Sequence, residues 1–115
     1  MSLKHFKPEE FNCSCCGESR MEKEFLMKLD SLRGLSNFPF VITSGYRCPS
    51  HPVEQKKTYP GTHSQGIAAD IKITNAAQRY TVVTMALTLG FTGIGVASDF
   101  VHVDTRGTIP VMWVY

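Results

Sequence analysis

An aspartate stands inside I-A-A-D-I-K-I, residues 67–73, a stretch with the short, β-branched-rich pattern of a strand. A carboxylate buried in such a strand costs several kcal/mol unless it is paired or bound to a metal. Asp70 therefore requires a partner, and the sequence offers two nearby in kind. His63 lies seven residues upstream, in T-H-S-Q-G, and Gly66 with the small Ala68 and Ala69 lets the backbone pass close to whatever sits there. The second partner comes from A-S-D-F-V-H-V-D, residues 97–104. There His102 alternates with Val101 and Val103, which puts Asp104 on the face of His102. Asp99 falls three residues before His102, where that strand begins. Two imidazoles and one carboxylate make a three-ligand set with an open fourth position, the pattern of a catalytic zinc site. A further carboxylate beside the metal suits the role of proton acceptor. Plainer readings stand beside this one. His63 also reads as a loop histidine, His102 as a satisfied sheet histidine, and Asp70 or Asp104 as ion-pair partners of Arg79, Arg106 or Lys72. Asp104 reads three ways: a structural ion pair, a group orienting His63 or His102, or a ligand in place of Asp70.

The remaining sequence frames these segments. A chain of 115 residues, 43% hydrophobic, supports one domain with one modest core. Twelve basic and ten acidic residues are too evenly balanced to suggest nucleic acid as a partner. No apolar run reaches the ~18 residues of a membrane span, so no membrane insertion is expected. The opening MSLKHFKPEEF has no apolar core of a secretory signal, so synthesis in the cytoplasm is expected. Residues 1–18 read as an irregular arm held by cysteines. Cys13, Cys15 and Cys16 crowd into four positions, and Cys48 follows far downstream. Their spacing suits a soft metal better than mutual disulfides but matches no two-knuckle zinc site. Reduced thiols, a structural zinc and a disulfide from Cys48 to the cluster all remain open at this point.

Ser19 and Glu22 form a capping box before Met21, Phe25, Leu29 and Leu32, which predicts a helix stopping at Gly34. Residues 40–42 read as a short strand and residues 44–60 as a long loop. Thr74 or Asn75 caps a second helix with Ala76, Tyr80, Val83 and Leu87 on one face, ending at Gly90. Strands follow at residues 100–104 and 111–115, with Trp113 and Tyr115 read as core. Two main helices and about four short strands give an α+β domain with an antiparallel sheet.

Three motifs in order, S-G-Y-R at residues 44–47, H-S-Q-G-I-A-A-D at 63–70 and D-F-V-H-V-D at 99–104, resemble the zinc D-Ala-D-Ala carboxypeptidases of peptidase family M15, subfamily A type. That family includes bacterial cell-wall peptidases and phage lysis enzymes, and it shares a metal-binding fold with hedgehog signalling domains. F-K-P-E-E-F and L-D-S-L-R extend the resemblance, toward small phage members, over nearly the whole chain. It implies zinc held by His63, Asp70 and His102, with Asp99 at the position of the catalytic carboxylate. It implies that Arg47 holds substrate and steadies the oxyanion, with Ser44 and Tyr46 flanking it in the cleft. The implied activity is amide hydrolysis in peptidoglycan stem or cross-bridge peptides, as a D,D-carboxypeptidase or endopeptidase. It would serve phage lysis or wall remodelling, in a chain expected to be monomeric. A non-catalytic zinc-bearing binding domain of the same fold is the alternative, against which the presence of Asp99 and Arg47 argues. The sequence departs from the family pattern at Gly61-Thr62-His63, where a serine usually precedes the first ligand by two. It departs again at His51-Pro52-Val53-Glu54-Gln55-Lys56-Lys57, where relatives carry Asn and paired glycines.

Overall fold

The computed structural model describes residues 3–48, 50–55 and 61–115. It is an α+β domain: five short strands form one mixed sheet, and two main helices pack on one of its faces. In chain order the elements are α1 (Lys23–Ser36), β1 (Ile42–Ser44), α2 (Pro52–Gln55), β2 (Ala68–Lys72), α3 (Ala76–Leu89), β3 (Gly93–Val96), β4 (Phe100–Asp104) and β5 (Val111–Val114). The spatial order is β1-β2-β4-β3-β5. Every pairing is antiparallel except β3 with β5, which is parallel.

Alternation divides the sheet into two chemistries. Ala69, Ile71, Val101, Val103 and Ile94 face the helices and join Phe25, Leu29, Leu32, Val82 and Ala86 in the core. Burying each large side chain of this kind contributes roughly 1.5–3 kcal/mol. The opposite face carries one row across the sheet. Ser44 pairs with Asp70, Asp70 with His102, His102 with Gly95, and Gly95 with Trp113. Five strands thus deliver their functional positions to one level.

Several expectations shift. The sheet has five strands rather than four: residues 93–96 form β3, whose glycines hide the usual strand signature. Helix α1 begins at Lys23 after Glu22, so the Ser19 capping box does not form, and Met21 precedes the helix. It also runs through Gly34 to Ser36 and ends on Asn37 in the left-handed conformation. Gly34 is held inside the helix beside the His5 ring, 3.4 Å from where a Cβ would stand. The first strand is 42–44 rather than 40–42. The loop that follows contains the single turn α2, while Pro49 and residues 56–60, with Lys56 and Lys57, lie outside the described residues. The N-terminal arm is more than a cysteine tether. It carries a 3-10 turn, Pro8–Phe11, and drives Phe6 and Phe11 into the main core. Helix α3 keeps its predicted ends: the Asn75 side chain accepts from the Gln78 N–H, and Gly90 closes it with positive φ. Of its predicted apolar stripe only Val83 packs, partly buried, against the core, while Ala76, Tyr80 and Leu87 face outward. Tyr80 is 74% exposed and Leu87 54%, while Val82 and Ala86 are buried.

Candidate metal centre and cleft

His63 is fixed by the turn before β2, Asp70 by the middle of β2, and His102 by the middle of β4. All three are buried. Their donor atoms lie within 4.8 Å of one another. His63 Nε2 is 3.3 Å from Asp70 Oδ1, and His102 Nδ1 is 3.0 Å from the same oxygen. The far side of each ring is anchored. His63 Nδ1 is 2.7 Å from the Gly45 carbonyl, and His102 Nε2 is 2.7 Å from Asp104 Oδ2. A carbonyl and a carboxylate only accept, so these two ring nitrogens carry the protons and donate. The opposite nitrogens are then left with lone pairs that converge on a carboxylate oxygen. Two lone pairs and an anion around one point require a cation between them, either protons or a metal. A His₂Asp donor set with both outer nitrogens anchored fits a zinc ion.

The charges agree with this arrangement. Burial pushes the Asp70 carboxyl upward, but the hydrogen bonds of His102 and His63 outweigh it and hold the group far below the usual carboxylate range. Burial pushes His102 down, but the carboxylates of Asp104 and Asp70 on either side raise it above its ordinary value. Asp104 is fully buried and is also held low, because Arg106 and His102 together overcome its desolvation. Arg106 binds it through Nε and a terminal nitrogen at 2.9 and 2.7 Å. Asp104 therefore combines two of its three readings: it is both an ion-pair partner and the group that orients His102.

The three residues sit in an open cleft of about 700 Å³. Arg47 lines it, with a terminal guanidinium nitrogen 3.8 Å from Asp70 Oδ2. Trp113 and Tyr115 line it as well, so they are not core residues. The Trp113 ring stands 5.2 Å from His102, with the Arg106 guanidinium 5.0 Å from the indole. Sequence reasoning ranks these two residues as core ahead of a substrate platform, and the structure reverses that order. The alternation of Trp113 with Tyr115 was visible, but the parallel pairing that lays β5 beside β3 was not. Tyr46 is buried against Cys13 and Cys48 instead of lining the cleft. Ser44 borders a separate small recess with Asn12 and Tyr46. Asp99 is exposed in the β3–β4 turn; its backbone carbonyl accepts from the Ile73 N–H, and its side chain is not among those lining the cleft.

Against known proteins, the sequence model of a family described as Peptidase M15 matches residues 4–104. No match was found among curated proteins.

Proposed function

The chain belongs to the peptidase M15 family, and on that premise we propose that it is a zinc-dependent hydrolase of amide bonds in peptidoglycan stem or cross-bridge peptides. The observation that carries this reading is the convergence of the His63 and His102 lone pairs on Asp70 at the floor of an open cleft. A zinc ion held by these residues supplies Lewis acidity toward a peptide carbonyl and activates water near neutral pH.

The protein's own groups do the rest. Asp104 and the Gly45 carbonyl hold the two imidazoles in the tautomers that face the metal. Arg47 stands beside Asp70, with its guanidinium turned to the cleft where negative charge develops on the scissile oxygen. Preorganised charge of this kind is typically worth about 3–4 kcal/mol in the barrier. Trp113 and Tyr115 form a wall along which a peptide chain can lie. Asp99, three residues before His102, is the carboxylate we assign to accept the proton of the attacking water and return it to the leaving amine. From its exposed position it must turn toward the cleft to do so.

That exposed position is also the one observation favouring a non-catalytic zinc-bearing domain, so Asp99 decides between the two. The experiment is digestion of purified peptidoglycan by the zinc-loaded protein, with released fragments identified by mass spectrometry. The proposal expects amide cleavage that is lost in His63→Ala. It expects Asp99→Asn to lower the rate about 10²–10⁴-fold with metal content unchanged. Fragments absent from the zinc-loaded protein would favour the binding domain. Metal lost in Asp99→Asn would place Asp99 among the ligands instead.

A further inference from the structure

A second cluster lies away from the cleft. Cys13, Cys15 and Cys48 bring their sulfurs within 4.8 Å of one another, and none of the four cysteines forms a disulfide. The local fold is a tight turn. The Cys13 N–H donates to the Glu18 carbonyl at 2.7 Å, the Gly17 N–H returns to the Cys13 carbonyl at 2.8 Å, and Gly17 takes positive φ. The turn brings Cys13 and Cys15 to the loop that supplies Cys48, with Cys16 adjacent in sequence. The Cys13 sulfur accepts the Cys48 backbone N–H at 3.4 Å and is buried. Burial pushes this thiol up, but the backbone N–H groups around the sulfur outweigh it and lower Cys13 to about 7, toward the thiolate that a metal takes. Cys16 is the next residue in the turn and is exposed beside these three.

We propose that Cys13, Cys15, Cys16 and Cys48 form a tetrathiolate site for a second zinc ion, which staples the N-terminal arm to the loop bearing Arg47. Zinc–sulfur bonds of about 2.3 Å place tetrahedral sulfurs about 3.8 Å apart, so Cys13, Cys15 and Cys48 need only a small contraction and the exposed Cys16 a turn of its side chain to close on the metal. Each coordinating thiol releases its proton to solvent, and no sulfur is oxidised. The mechanical consequence follows from the backbone. Cys48 directly succeeds Arg47. The Tyr46 N–H donates to the Phe11 carbonyl at 2.9 Å, the Arg47 N–H to the His63 carbonyl at 3.3 Å, and the Ser64 hydroxyl to the Arg47 carbonyl at 2.6 Å. The Gly45 carbonyl holds His63. The thiolate site therefore anchors one end of the segment whose other end positions a ligand of the cleft centre.

The test uses the full chain, reduced and handled without oxygen, loaded with zinc for elemental analysis and with cobalt(II) for absorption. Thiolate ligands give cobalt an intense near-ultraviolet charge-transfer band that a His₂Asp site does not. The proposal expects the band in the wild-type protein and its loss, with one metal equivalent, in Cys15→Ser. Cys15 is exposed, so that variant keeps the fold if buried Cys48→Ser does not. His63→Ala should keep the band. A wild-type protein without the band, a Cys15→Ser variant that keeps both the band and its full metal content, or a disulfide among these cysteines in protein freshly purified without added reductant would overturn it. Loss of metal in His63→Ala reports on the cleft centre separately, so either site can fail without the other.

Discussion

Asp104 shows how much one buried residue settles at this centre. It accepts from His102 Nε2 and from the Arg106 backbone and guanidinium, with no exposure to solvent. Removing it frees the His102 ring to present the wrong nitrogen. Asp104→Ala is expected to weaken zinc affinity about 10–100-fold, measured by competition with a chromophoric chelator; unchanged affinity would show that the ring is held by packing alone. The same group sets a pH dependence in the metal-stripped protein. Asp70 and Asp104 lie below the ordinary 3.8, so their stabilisation is present above that value and lost as pH falls toward their folded pKa values. His102 lies above the ordinary 6.5, so its contribution is full below that value and lost as pH rises through its raised pKa. The stripped protein is therefore most stabilised by this triad between about pH 4 and about pH 6.5. Its Tm should fall on going to about pH 9, and by less in Asp104→Asn. Equal falls in both would remove the triad from the account. At this scale the sequence was most legible where alternation places the side chain: His102 and Asp104 share one face because β-strands have a period of two, whereas Asp70 joins them through the β2–β4 register. Tyr46 was less legible, because only the folded cysteine turn shows which way its ring is buried.

Among the elements, β3 carries the least obvious requirement. A Cβ built on Gly93 would stand 2.1 Å from Asp104 Oδ1, and one on Gly95 would stand 2.7 Å from the Trp113 ring. These glycines leave room for the row of functional side chains on the neighbouring strands. Gly93→Ala is expected to destabilise the fold by about 1–3 kcal/mol and to weaken metal binding by displacing Asp104. Denaturant melts with and without zinc check this, and a variant of wild-type stability would contradict it. The glycines also explain why β3 was missed: G-I-G-V lacks the side chains that mark a strand. β5 is different, since its position was read correctly and its environment was not. Trp113 faces the cleft across Gly95, a pairing between positions 18 apart in the chain that encloses the β4 hairpin return. If it is a substrate wall, Trp113→Ala should raise KM more than it lowers kcat, with little change in Tm. A rate loss at unchanged KM would assign it to the reaction centre instead. Helix α3 shows the opposite failure. Ala76, Tyr80, Val83 and Leu87 follow a helical period, yet contacts with α1 and β4 select Val82 and Ala86 for burial. Periodicity finds the helix but cannot choose between two apolar faces.

The whole molecule separates support from chemistry. Both main helices and the phenylalanines of the arm pack on one face of the sheet, leaving the other face to carry Asp70, His102 and Trp113 over one row. This is why so small a chain can bury two histidines and two aspartates without losing its core. The α+β class and both main helices were readable because local periodicity reports on both helices and the Asn75 and Gly90 caps on α3. The mixed topology was not readable, because strand order depends on long-range pairing. Metal binding should couple to this architecture as a whole. Zinc at about 1,000 times its Kd would stabilise the fold by about 4 kcal/mol, so chelation should lower Tm and zinc should restore it. The most direct test of the central claim is an anomalous-difference map at the zinc absorption edge, from crystals of the zinc-loaded protein. The account predicts a peak about 2.0–2.2 Å from His63 Nε2, an Asp70 oxygen and His102 Nδ1 together. A map with no peak among these three atoms, or with the metal bound through Asp104 in place of Asp70, would contradict it.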